Sequence, residues 1–61
     1  MILHTVIDKN DKVISQCNIF NATLKELIPK DRKYIEKVSV SRDYVTIYYM
    51  DGKKRLYSDL H

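Results

Sequence analysis

His4, His61 and Cys17 are the side chains of this chain that could act as base or nucleophile near neutral pH. A working thiol needs a base within hydrogen-bond reach and a third group to orient that base. The neighbours of His4, Thr5 and Gln16 among them, supply no such trio. His4 therefore reads as an ordinary strand histidine and Cys17 as a small buried hydrophobe. His61, at the end of the sequence, is expected to fray. Two histidines far apart with one cysteine do not make a structural zinc site. Asp8, Asp11, Asp31, Asp43 and Asp51 fall in turn-like stretches, where aspartate serves the backbone. Gly52 is the one glycine, so no phosphate-cradling loop exists. The expectation is a protein that is not an enzyme, with no cofactor, metal or small-molecule substrate.

A second kind of chemistry lies in YVTIYYMDGKKRLY, Tyr44 to Tyr57, which holds four of the five tyrosines and three consecutive basic residues. Aromatic rings on a sheet can stack bases while Lys and Arg neutralise phosphates. Charge follows the same division. Residues 1–29 hold three basic and three acidic side chains; residues 30–61 hold eight and five, the whole net charge of +3. The candidate surface for nucleic acid or an acidic protein is Tyr44, Tyr48, Lys53, Arg55 and Tyr57. Against it, tyrosine is a good strand residue in its own right, and Tyr48 opposite Arg55 would make an ordinary cross-strand pair. No ribonucleoprotein motif, GXXG loop or recognition-helix pattern accompanies the patch.

These residues must be positioned by a short chain. Sixty-one residues suit one domain, 1–61, burying only about 60% of its unfolded surface. One cysteine allows no internal disulfide and suits a reducing, cytoplasmic setting. The opening MILHTVIDKN lacks the apolar run and cleavage site of a secretory signal. No stretch approaches the roughly 20 apolar residues that cross a bilayer, so no membrane contact is expected.

Ile2 to Ile7 and Val13 to Phe20 read as the strands of a hairpin, joined by the turn-prone DKNDK. In NATLKELIP, Thr23 and Glu26 have capping-box spacing, and Leu24, Leu27 and Ile28 share a helical face. Pro29 should stop that helix at once, or else begin a further turn through residues 30–37. A three-stranded meander follows. Asp51-Gly52 as a two-residue type I′ turn sets Tyr48 opposite Arg55 and Ile47 opposite Leu56. Arg42-Asp43 as a turn tip sets Val40 opposite Val45. Together these registers gather Val38, Val40, Val45, Ile47 and Leu56 on one face. The fold class is α+β, in the order ββαβββ: an antiparallel sheet of hairpin plus meander, with one short helix packed on it.

The hairpin carries apolar residues at both parities, more than one short helix can cover. Ile2, Val6, Ile14 and Phe20 form the set expected to dock on another chain, because the other parity holds the smaller Ser15 and Cys17. The leading functional reading is thus a non-catalytic regulator, adaptor or inhibitor. It would act by contact with a larger protein, or by self-association as a dimer. Such economy is common among small proteins of mobile elements. The alternative is a small nucleic-acid-binding protein using the Tyr/Lys/Arg face.

Overall fold

The computed structural model describes residues 1–60, so the expectation for His61 lies outside it. Five strands form one antiparallel sheet: β1 (Ile2–Ile7), β2 (Val13–Ile19), β3 (Ile35–Val40), β4 (Tyr44–Tyr49) and β5 (Lys54–Asp59). Their spatial order is β2-β1-β5-β4-β3. The hairpin and the meander are fused through β1 and β5, with Ile2 opposite Asp59 and Val6 opposite Arg55. The architecture is mostly strand. Its helical element is a single 3-10 turn, Leu24–Leu27, so the α+β description fits only loosely.

That turn is short for the reason the sequence suggests. Thr23 caps it, its hydroxyl accepting the Glu26 N–H while the Glu26 carboxylate accepts the Thr23 N–H, both at 3.4 Å. Ile28, next to Pro29, is already extended at φ −70°, ψ 120°. No further helical turn follows Pro29; the chain runs irregularly to β3.

Residues directly opposite one another share a sheet face, so the pairings sort the side chains. Ile2, His4, Val6, Val38, Val40, Val45, Ile47, Arg55 and Tyr57 lie on one face. Leu24, Leu27 and Ile28 pack over its middle, sealing a core of Ile2, Val45, Ile47 and Tyr57. The opposite face presents Leu3, Thr5, Ile7, Thr46, Tyr48, Lys54 and Leu56. Thr5 is buried there, its hydroxyl taking a 3.0 Å hydrogen bond from Gln16 Nε2.

The β3–β4 register is the expected one, with Val40 opposite Val45 and the Ser41 N–H donating to the Tyr44 carbonyl at 2.8 Å. The β4–β5 register is not. Tyr48 pairs with Lys54 and Ile47 with Arg55, one residue away from the two-residue turn. The loop is Met50-Asp51-Gly52, closed by Tyr49 N–H to the Lys53 carbonyl (2.9 Å) and Gly52 N–H to the Tyr49 carbonyl (3.1 Å). A type I′ turn needs positive φ at both centres, but here Gly52 alone has it, at +93°. Asp51 instead spends its carboxylate on the Lys53 N–H, at 3.0 Å. A single step of register inverts β5: Tyr57 and Arg55 move to the covered face and Leu56 to the open one.

Candidate functional site

The inversion of β5 divides the expected aromatic and basic patch. Tyr44 and Tyr48 stay on the open face, while Arg55 and Tyr57 lie on the covered one and Lys53 ends the turn. Tyr57 is core. Two cations remain beside Tyr48 on the open face, and both are engaged. Lys37 Nζ stands 4.7 Å from the Tyr48 ring centroid. Lys54 Nζ is 2.9 Å from the Asp11 carboxylate, which raises its pKa.

The docking set is divided as well. Ile2, 1% exposed, belongs to the core and offers nothing to another chain. Phe20 is exposed at 66%, just beyond β2. Val6 and Ile14 lie near the turn end of the sheet. There a bulge in β2 shifts its pairing between Val6–Ser15 and Ile7–Val13, leaving Ile14 as the extra residue of the strand. Cys17, expected inside, is exposed, because β2 is an edge strand and the 3-10 turn packs over β4 and β5 instead.

What the structure brings together is a mixture of the two sets. Val6, Ile14, Tyr49, Asp51, Lys53, Lys54 and Arg55 line an open groove of about 270 Å³ at the turn end. Val6, Ile14 and the Tyr49 ring supply apolar walls; with Lys54 paired to Asp11, Lys53 and Arg55 face the single carboxylate of Asp51. Arg55 is held in place there. Its Nη1 lies 3.4 Å from His4 Nε2, and its guanidinium carbon 5.9 Å from the Tyr49 ring centroid. Neither contact neutralises its charge. The groove is smaller than the roughly 300–1,000 Å³ typical of small-molecule pockets. It has room for a few side chains of an incoming segment rather than for an enclosed ligand.

Behind Arg55, His4 stacks on Tyr57 with ring centroids 4.6 Å apart. Its Nδ1 is 3.7 Å from Cys17 Sγ, a proximity that strand alternation alone did not reveal because it depends on the hairpin register. Arg55 can only donate, so Nε2 must accept and Nδ1 must carry the proton. The imidazole thus offers the sulfur a hydrogen-bond donor, not a base. Among the described residues no group of three or more His, Cys, Asp or Glu gathers to hold a metal. No helix among them is long and apolar enough to cross a membrane.

Burial, and then the Arg55 charge, lower the pKa of His4. Its protonation therefore favours the unfolded chain. This group's contribution is fully present above the ordinary histidine pKa of about 6.5 and is lost as pH falls through the lowered folded value. Urea midpoints measured from pH 8 down to pH 5 should decline for the wild type. The decline should be smaller for His4→Phe, which keeps a ring against Tyr57. Equal slopes would remove His4 as the cause.

The class that fold and groove define is a small antiparallel single-sheet protein with a mixed apolar and cationic groove at one end. Comparison with protein-family models, curated proteins and solved structures finds no match to this chain.

Proposed function

We propose that this is a non-catalytic binding protein that docks on a larger protein. Its turn-end groove would receive a segment carrying both apolar and acidic side chains. The observation that carries this reading is the pairing of Val6, Ile14 and Tyr49 with Lys53 and Arg55 in one groove. Apolar walls supply contact energy, and Lys53 and Arg55, of which Asp51 can offset only one, favour acidic partners over basic ones. The pre-positioned Arg55 strengthens the case. Its side chain is already ordered against His4 and Tyr49, so little rotamer entropy remains to be lost on binding.

A nucleic-acid role draws less support, because the rings and cations it would need are divided between two faces and Lys54 is already paired. Selection from a random peptide display library decides between the two. Recovered peptides should be enriched in Asp and Glu alternating with apolar residues. Lys53→Glu should weaken their binding about tenfold, on the order of 1.4 kcal/mol. Peptides without acidic enrichment, or tighter binding to single-stranded oligonucleotides with steep salt dependence, would defeat the reading.

A further inference from the structure

The two edges of the sheet are protected unequally. β3 (Ile35–Val40) carries Glu36 and Lys37 in its middle, the charges by which edge strands discourage pairing with other chains. β2 carries none. From Val13 to Leu24, twelve consecutive residues lack charge in a chain where 31% are charged. Val13, Ile14 and Phe20 are 59%, 55% and 66% exposed along this edge. The core they might have joined has only four buried apolar side chains among the described residues. Unpaired strand backbone and exposed apolar side chains thus meet at one edge of a sheet whose core is thin.

We infer that β2 pairs antiparallel with β2 of a second copy of this chain, joining two sheets into one about a two-fold axis at Cys17. Charge selects the occupant. β1 and β2 lie in the neutral stretch, residues 1–29, where Lys9, Lys12 and Lys25 are balanced by Asp8, Asp11 and Glu26. Two copies meeting there keep their excess positive charge, which falls in residues 30–61, out of the paired strands. An acidic partner would gain nothing along an uncharged strand. The side chains are also self-matching. With Cys17 opposite Cys17 of the second copy, Gln16 faces Asn18, amide to amide, and Ile14 faces Phe20. A two-fold contact repeats each match. Sliding the pairing so that Gln16 sits on the axis sets Ile14 against Asn18 and loses both. The favoured register also brings the second copy's Phe20 beside Ile14, at the rim of the groove. The dimer itself does not depend on what the groove binds.

The test uses the wild-type protein with its single thiol. Sedimentation velocity across the micromolar range should show a dimer, and a short bismaleimide should join it through Cys17. Phe20→Lys and Asn18→Lys should each weaken association at least about tenfold with unchanged circular dichroism, since both residues are exposed. A wild-type monomer throughout overturns the inference. So does a dimer that the reagent leaves unjoined, or one indifferent to both lysines. Should one lysine variant fail to fold, the other and the cross-link still decide.

Discussion

Alanine at Ile47 is expected to leave much of the protein unfolded at 25 °C. Ile47 is 2% exposed, lies against Val38 and Arg55 across the sheet, and belongs to a core of four residues. Truncating a buried isoleucine to alanine costs about 2–5 kcal/mol, whereas a single core of this size rarely supplies more than about 3–5 kcal/mol in total. The two figures are of one size, so the variant has almost nothing left. Val40→Ala is the natural control. Val40 lies on the same face but is 58% exposed, and its loss should cost less than about 1 kcal/mol. Urea titrations read both. Similar losses at the two positions would mean that the core is not centred where Val45 and Ile47 place it.

Gly52→Ala should be the most damaging of the surface substitutions. At φ +93° an added Cβ strains the backbone, by about 1–2 kcal/mol for a left-handed position. It would also lie 2.9 Å from Lys9 Cβ, in the turn between β1 and β2. Rotating the lysine side chain cannot relieve a clash at its first carbon. The two costs can be separated. In a Lys9→Gly background the crowding vanishes and only the backbone strain remains, so Gly52→Ala should cost measurably less there. An equal penalty in both backgrounds would show that the two turns do not press on each other.

The strands were legible because alternation and turn residues speak locally: DKNDK, Arg42-Asp43 and Asp51-Gly52 each mark a reversal, and each is one. Pro29 and the Thr23–Glu26 pair likewise bound a short turn in the sequence, though not its 3-10 winding. Register was legible only where the turn had one solution. At Asp51-Gly52 two- and three-residue loops both put glycine at a positive φ. The choice was made by burial of Tyr57 beside Val45 and Ile47, a contact beyond any local window. The candidate site suffered for the same reason. Val6 and Ile14 come from β1 and β2, Tyr49 from β4, and the cations from β5 and the turn before it, and only the pairing of β1 with β5 unites them. The bulge that exposes Ile14 has no glycine or proline to announce it.

The pairing of β1 with β5 also sets an order of events in time. Ile2 finds its partner strand at Asp59, so nearly the whole sequence separates two segments that become neighbours at the sheet's centre. The hairpin and the meander each close over a few residues, and such loops form within microseconds. Joining them must wait for a far longer loop, whose entropy is lost before any contact offsets it. On the ribosome the wait is longer still. Until Lys54–Asp59 has emerged, the first strand has no inner neighbour and the Val13–Ile19 strand no anchored sheet behind it. The first two strands thus wait as a half-made hairpin, its outer strand uncharged, until the last strand of the sheet has been made.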